Sequence, residues 1–268
     1  MGIGICMLMD MFTILQALHA TEVVDSNPYK PLENSRLKIL KLANCELGSH
    51  AIPTVVFSSL KNLEELEVSN TNVETIFDIM DEEMKGYTFL LKKMTLNNLP
   101  NLKKVWRDEN PEGIFSSQNL QEVVVNNCEI LETLFPIKLA KIVKKLKKLE
   151  IRCCKKFLKI VEQENAITEA TAEFSFPRLT SLNLRMLPQL SCFYPERFTL
   201  ECPHLSHLEV VSCGDFVTFE IHQAHGSTTV NRKALFSEEK VCNESAFLFF
   251  SSSICLNLLA LLFFHHIG

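Results

Sequence analysis

The chain has 268 residues, of which 47% are hydrophobic, and it carries a formal net charge of −5. An apolar fraction of this size is enough to build a buried core, so the composition excludes a wholly disordered chain. The acidic balance provides no general basic field for nucleic acid, and the presence of only 8 glycines disfavours a glycine-rich cofactor loop.

The first element in chain order is an N-terminal segment, 1–35, whose structure the sequence leaves open and which could belong to a partial repeat. Its apolar start, MGIGICMLMDMFTILQALHA, has no Lys or Arg before Lys30, whereas a secretory signal has a positive amino-terminal region. The 10 cysteines are spread along the chain rather than concentrated in a small scaffold. We therefore expect reduced thiols in a cytoplasmic protein.

An internal repeat follows, and it is the most informative feature of the sequence. The template LxxLxLxx(C/L/T) occurs seven times, and successive copies are separated by 26, 28, 29, 26, 33 and 26 residues. The step of 33 contains a polar insertion, 162–173, which we expect to be a loop. The copies begin at Leu37, Leu63, Leu91, Leu120, Leu146, Leu179 and Leu205.

The spacing within the template predicts a strand. Its last two apolar positions are two residues apart, which places them on one face of a strand. A single unit cannot bury that face, but stacked units build a continuous core. We therefore predict an α/β solenoid over 36–241, with a parallel β-sheet on the concave face and short helices or irregular turns on the convex face. One such return segment is 135–145.

The ninth template position is expected to close the bend that leaves each strand. Cys45, Cys128, Cys154 and Cys213 occupy it in four copies, and cysteine is small and forms weak hydrogen bonds through sulfur. In two copies a leucine followed by proline takes this place, at Leu99 and Leu187. These cysteines therefore need no redox role.

Further short sequence motifs in the repeats resemble those of a known family. They are LPNLKKVW at 99–106, LETLFP at 131–136, FSFPRLTSL at 174–182 and LSCFYP at 190–195. Together with the alternating bends they resemble the repeat region of plant nucleotide-binding, leucine-rich-repeat disease-resistance proteins of the coiled-coil class. The resemblance implies a cytoplasmic immune receptor whose repeats sense a pathogen effector or a modified host protein and help hold a nucleotide switch closed.

The sequence departs from complete proteins of that family, because it contains no GxxxxGK[ST] phosphate loop and no coiled-coil heptads. We expect no cofactor, and a protein partner that is an effector, a host protein or a nucleotide-binding domain outside this chain. Two alternatives remain: a substrate adaptor of a ubiquitin ligase, for which 1–35 is too short to supply an F-box-like segment, and a stand-alone repeat decoy.

The C-terminal segment, 242–268, no longer follows the repeat. It contains the apolar run AFLFFSSSICLNLLALLFF at 246–264, whose length just suffices for a membrane span. A membrane anchor, a hydrophobic cap on the fold and a misread gene end are alternative interpretations. Membrane contact is expected only if this run is a true anchor.

The predicted binding surface is the concave face, where residues between the buried leucines point to solvent. The candidate partner-binding residues are Glu65, Glu67, Lys93, Thr95, Asn97, Glu122, Asn126, Lys148, Glu150, Arg152, Asn183, Arg185, His207 and Glu209.

Other clusters are interpreted as structural. The lysine-rich segment 138–159 spaces an apolar stripe at helical period, so we expect a solvated convex segment rather than a nucleic-acid site. Cys202, His204, His207 and Cys213 have the residue types of a zinc site, but their template positions point in different directions. No nucleophile, base and phosphate loop come together, so an enzyme is not expected.

Overall fold

The computed structural model describes residues 2–6, 37–45, 47–53, 60, 62–78, 90–106, 119–162, 172–193, 198–214 and 221–222. In chain order, the elements within these ranges are β1 (Gly2–Cys6), β2 (Ile39–Ala43), β3 (His50–Pro53), β4 (Glu65–Ser69), β5 (Thr75–Asp78), β6 (Lys93–Asn97), β7 (Lys104–Trp106), β8 (Glu122–Asn126), β9 (Thr133–Pro136), α1 (Ile137–Ile142), β10 (Lys148–Arg152), β11 (Lys159–Glu162), β12 (Ala172–Ser175), β13 (Ser181–Arg185), β14 (Phe198–Glu201), β15 (His207–Val211) and β16 (Ile221–His222).

Eight of these strands form one parallel sheet in the order β1-β2-β4-β6-β8-β10-β13-β15. Seven of them are the seven copies of the template, and each pairs with the next copy without any slip in register. The predicted leucine-rich-repeat solenoid is therefore confirmed. β1 pairs with β2 as an eighth strand, from Gly2 opposite Ile39 to Cys6 opposite Ala43.

The core consists of continuous apolar rows that run across the strands. One row joins the fourth template positions, including Leu40, Leu66 and Met94, and these side chains are buried. The sixth positions, such as Val125 and Ile151, form a second buried row. Each row loses its water contact only when coils stack, which is why the spacing of the apolar positions inside the template is the same in every copy.

The return segments contain more strand than the sequence analysis predicted. β3, β5 and β7 form a three-stranded parallel sheet, β9 pairs with β11, and β12, β14 and β16 form a third small sheet. We call the first two the lateral sheets. A short helix, α1, is found in the predicted return segment 135–145, and it is the only helix among the described elements. The lateral strands are rich in β-branched and aromatic residues, as in Thr75-Ile-Phe-Asp78, which favour extended backbone.

Aromatic residues connect the lateral strands. The rings of Phe77 and Trp106 stack with centroids 4.7 Å apart, and Trp106 Nε1 donates a buried hydrogen bond to the Leu134 carbonyl oxygen at 3.1 Å. Three successive coils are thereby joined through one indole. Phe193 is also buried, and its ring lies close to the rings of Phe174 and Phe176.

The proposed domain limits at 35/36 and 241/242 fall outside the described residues and remain predictions. The apolar run 246–264 and most of the insertion 162–173 also lie outside them. Among the described residues, no helix is long and apolar enough to cross a membrane.

Candidate functional site

The outward side of the main sheet is formed by alternate residues of β2 to β15, and we call it the concave face. Register pairing arranges these residues in three rows that cross the strands. The first row is Ile39, Glu65, Lys93, Glu122, Lys148, Ser181 and His207. The middle row is Lys41, Glu67, Thr95, Val124, Glu150, Asn183 and Glu209. The last row is Ala43, Ser69, Asn97, Asn126, Arg152, Arg185 and Val211.

All fourteen candidate residues from the sequence lie on this face, because the template places each at the third, fifth or seventh position. Lys41 occupies a middle-row position that the prediction missed, although it carries the same template signal as Glu67. The structure thus brings the candidates together on one surface. Their role in binding a partner stays a prediction.

The N-terminal half of the face, β2 to β8, carries ion pairs between neighbouring strands. Lys41 Nζ lies 2.9 Å from Glu67 Oε2, and this contact raises the pKa of Lys41 through the Glu67 hydrogen bond and charge. Lys93 Nζ lies 3.8 Å from Glu122 Oε2, with 46% and 42% of their side chains exposed. Both signs of charge therefore reach solvent in this half.

The C-terminal half, β10 to β15, is built differently around Glu150. The Glu150 carboxylate lies 3.0 Å from Lys148 Nζ and 2.9 Å from Arg152 Nε on the same strand. Only 12% of the Glu150 side chain is exposed, against 41% for Lys148 and 37% for Arg152. The cations are therefore the groups that water or a partner meets first.

Glu209 repeats this arrangement two strands further on. Asn183 Nδ2 donates a hydrogen bond to Glu209 Oε2, and Arg185 Nε lies 3.4 Å from Glu209 Oε1. His207 Nε2 lies 3.9 Å from Glu209 Oε2. The Glu209 side chain is only 9% exposed, so the expectation that Asn183 and Glu209 point freely to solvent is corrected: both are buried beneath Arg185 and His207.

The bend after each concave strand places its eighth template residue in the left-handed region, with φ between 52° and 54° in all seven copies. The first four copies have Asn44, Asn70, Asn98 and Asn127 there, and asparagine tolerates this conformation better than most residues. Asn98 Nδ2 donates to Asn70 Oδ1, and Asn127 Nδ2 donates to Asn98 Oδ1, both at 2.8 Å. This exposed asparagine ladder was not predicted.

The asparagine ladder does not continue into the last three copies, where Cys153, Met186 and Ser212 occupy the eighth template position. The Cys153 thiol donates to Met186 Sδ at 3.6 Å, and the Met186 residue is 58% exposed. Met186 thus has an exposed apolar side chain and a left-handed backbone conformation that is unfavourable for such a residue.

The ninth-position cysteines lie inside the bends, as predicted. Cys45, Cys128 and Cys154 each donate a weak hydrogen bond to the carbonyl two residues earlier, over 3.2 to 3.6 Å. Burial raises the pKa of Cys213 to about 11, and the hydrogen bond to Cys154 together with burial raises that of Cys128. Both thiols therefore stay protonated and unreactive at neutral pH.

The other clusters are not gathered at one place within the described residues. The lysine-rich segment runs from α1 through β10 to β11, so its charge is spread around the coil rather than gathered on one side. Lys155 already pairs with Glu129 at 2.6 Å. Within the described ranges, no group of three or more His, Cys, Asp and Glu residues is placed to hold a metal ion.

Comparison with known proteins adds the family context. A family model described as plant disease resistance protein RPS2-like, leucine-rich repeats, matches residues 11–155, which is more than half of the chain. A probable disease resistance protein of Arabidopsis thaliana is 31% identical over 179 residues, which cover 62% of this chain and 16% of that protein. No solved structure matches the chain.

Proposed function

Because the chain belongs to the RPS2-like family of plant disease-resistance leucine-rich repeats, we propose that its concave face binds a protein partner in a defence response. Repeats of this family are in general interaction modules. The proposed partner is a pathogen effector or a modified host protein, and the proposed compartment is the cytoplasm. A nucleotide-binding domain outside this chain is a further partner that the family implies.

The observation that carries the proposal is the unbroken concave face itself. Seven copies in register present three rows of mainly polar side chains, with both signs of charge and no described element lying across them. Solenoids bind partners through extended surfaces of this type, since each strand adds contacts without any rearrangement of the core. Five of the seven free cysteines among the described residues are buried, and free thiols are typical of the cytoplasm, where disulfides are rare.

The chain spans about 16% of the length of the curated relative that it matches, so the activity of a complete receptor is itself a proposal. Effector sensing by these repeats would then bias a switch located elsewhere in such a receptor. The chain's own contribution is recognition.

The test is a steric block with a matched control. Thr95 is half-buried and is the third of the seven residues in the middle row, and Thr95→Trp would place a bulky ring on the face without disturbing the core. Lys103→Trp adds the same ring to an exposed residue just before the lateral strand β7. Each variant is expressed in pathogen-challenged plant tissue and captured with its bound proteins.

We expect Thr95→Trp to reduce the recovery of a specific partner by roughly tenfold or more, which corresponds to the loss of one interface anchor. Lys103→Trp should bind as the wild type does. Equal recovery with both variants, at equal thermal stability, would reject the concave face as the binding surface.

A further inference from the structure

The C-terminal half of the concave face has an outer layer of one charge sign. Glu150 and Glu209 lie beneath the charged groups of Lys148, Arg152 and Arg185, and the carboxylates are 12% and 9% exposed. In the N-terminal half, by contrast, Glu122 is about as exposed as Lys93. A partner approaching β10 to β15 therefore meets cations first.

Two arginines form the centre of this layer. Arg152 and Arg185 are register partners on the neighbouring strands β10 and β13, so their backbones are one strand spacing apart. Each contacts a buried carboxylate through Nε, at 2.9 and 3.4 Å. Charge attraction to the carboxylate restrains each guanidinium group, although Arg152 Nε donates no hydrogen bond to it, and a cation restrained in this way binds a carboxylate at lower entropic cost.

A sulfur-containing side chain follows each arginine in the chain. Met186 follows Arg185 in the chain, and Cys153 follows Arg152, with the two sulfurs 3.6 Å apart. Met186 and Leu90 are the two exposed large hydrophobic residues among those described. The first four copies have asparagine at the Met186 position, which suits its φ of 54° better.

Residues in strained backbone conformations cluster at functional sites. Met186 forgoes the amide ladder that connects Asn70, Asn98 and Asn127, and it exposes a thioether to water instead. Methionine and arginine are both enriched in protein interfaces. The arginine pair and the methionine are thus independent observations at one place.

We propose that Arg152, Arg185, Cys153 and Met186 form a docking patch for an acidic protein segment in which an apolar side chain lies next to an Asp or Glu. The carboxylate binds the two guanidinium groups, and the apolar side chain packs on the Met186 thioether. This inference rests on the proposed function and specifies the chemistry of the partner.

A protein segment fits the patch better than a nucleic acid does. Glu150 and Glu209 already neutralise much of the local positive charge, and the chain as a whole has a net charge of −5. Binding to a phosphate backbone depends on many uncompensated cations. A protein segment with one or two carboxylates next to an apolar side chain needs only the two guanidinium groups and the Met186 thioether.

The test measures binding of short fluorescent peptides by anisotropy. The main probe contains Asp, Leu and Gly, a second has Asn in place of Asp, and a third has Ser in place of Leu. A thymidine oligonucleotide tests for a general polyanion. We expect the Asp-Leu probe to bind roughly tenfold more tightly than the other two peptides and the oligonucleotide, and added salt to weaken it only moderately.

Variants locate the binding on the protein. Met186→Asn restores the residue that the backbone prefers, so the protein should be at least as stable as the wild type while its affinity falls about tenfold. The double variant Arg152→Lys/Arg185→Lys keeps both positive charges beside Glu150 and Glu209 but removes the planar guanidinium groups. It should therefore also bind the Asp-Leu probe more weakly. Leu90→Asn removes the other exposed hydrophobic residue and should leave affinity unchanged.

The proposal is overturned if the Asn probe or the oligonucleotide binds as tightly as the Asp-Leu probe, or if Met186→Asn retains full affinity. A failure of this kind is distinguishable from a failure of the proposed function. If Thr95→Trp still abolishes capture of the partner from plant tissue, the concave face binds a protein and only the acidic docking patch is wrong.

Discussion

At the scale of single residues, the bend after each strand decides which side chains the repeat accepts. The side chain at the ninth position lies in a buried space, where a polar atom can also donate a hydrogen bond to a carbonyl oxygen near the end of the strand. Cysteine meets both needs, as the contacts of Cys45 and Cys154 show. Leu99 and Leu187 fill the space without a polar atom.

Thr71 meets the first need but not the second. It is buried at the same position, and its Oγ1 has no hydrogen-bond partner. A buried hydroxyl without a partner destabilises a fold. We therefore predict that Thr71→Val, which keeps the shape and removes the hydroxyl, raises the free energy of unfolding by about 1 kcal/mol.

Urea denaturation of the purified chain measures this change. Thr95→Val, at a half-buried position on the concave face, is the matched control and should shift stability by less than about 0.5 kcal/mol. A Thr71→Val protein that is less stable than the wild type would show that the hydroxyl has a partner in solution.

The eighth position shows what the sequence could have predicted and did not. Asparagine recurs there as Asn44, Asn70, Asn98 and Asn127, and this alone indicates left-handed backbone. The change to Cys153 and Met186 is visible in the same alignment of copies. The template also places Arg152 and Arg185 at the same position of successive copies, as the strand register confirms, but only the structure shows that Met186 is exposed.

At the scale of elements, charges at the strand starts connect neighbouring repeats. The Glu64 carboxylate lies 2.9 Å from Lys38 Nζ and 2.6 Å from Lys92 Nζ, so one acid bridges three coils. The hydrogen bond from Lys92, followed by that from Lys38, lowers the pKa of Glu64 to about 2. The charged carboxylate is therefore the form that the fold stabilises.

The sign of the resulting pH dependence follows from the lowered pKa. The stabilisation by Glu64 is complete above its unfolded pKa of about 4.5 and is lost as pH falls towards about 2. We predict that Glu64→Gln lowers the denaturation midpoint at neutral pH and that the difference from the wild type shrinks below about pH 4. The group is solvent-accessible, so raised salt should shrink the difference as well.

Denaturation of both proteins across the acid range provides the measurement, with Glu65→Gln as a control on the adjacent concave position. A difference that grows as the pH falls would contradict the assigned ion pairs.

The lateral elements show the limit of periodicity as a predictor. The template predicted all seven concave strands, because the alternation of apolar residues within each copy and the recurrence of the copies both indicate a strand at the same place. β5, β7 and β9 are only three or four residues long, and a run of that length cannot be told from a turn or a helix end. Their extended form depends on pairing with the next coil, as the Phe77–Trp106 stack illustrates.

At the scale of the whole molecule, stability depends on contacts between neighbouring coils. Such a structure tolerates the loss of a complete repeat better than the loss of part of one. Deleting 120–145 removes one 26-residue unit and connects residue 119 to Leu146, which occupies the template position of Leu120. The exposed faces of the cut coils remain complementary, since β6 and β10 carry the same apolar rows.

We predict that this deletion protein folds, with cooperative unfolding and the circular dichroism of a parallel sheet. Deleting only 120–132 removes β8 but leaves half a coil, and it should abolish cooperative unfolding. Folding of both proteins, or of neither, would contradict a structure built from equivalent stacked units.

The concave face could be located from the sequence but not described in detail. The template placed the fourteen candidate residues on one face, as the strand register shows, and their role in binding stays a prediction. It could not show that Glu150 and Glu209 lie beneath their cations, because that depends on how long side chains fold over their neighbours across the strands. The burial of Asn183 has the same cause.

The most direct test of the central claim, that the concave face binds a protein partner, is acetylation footprinting of lysines in the captured complex. Lys41, Lys93 and Lys148 lie on the concave face, whereas Lys103 and Lys104 lie at the lateral strand β7 and serve as internal controls. The account predicts that the partner protects one or more concave lysines and leaves the lateral two as reactive as in the free chain. Protection of Lys103 and Lys104 with unchanged reactivity of the concave lysines would place the partner on the opposite side and contradict it.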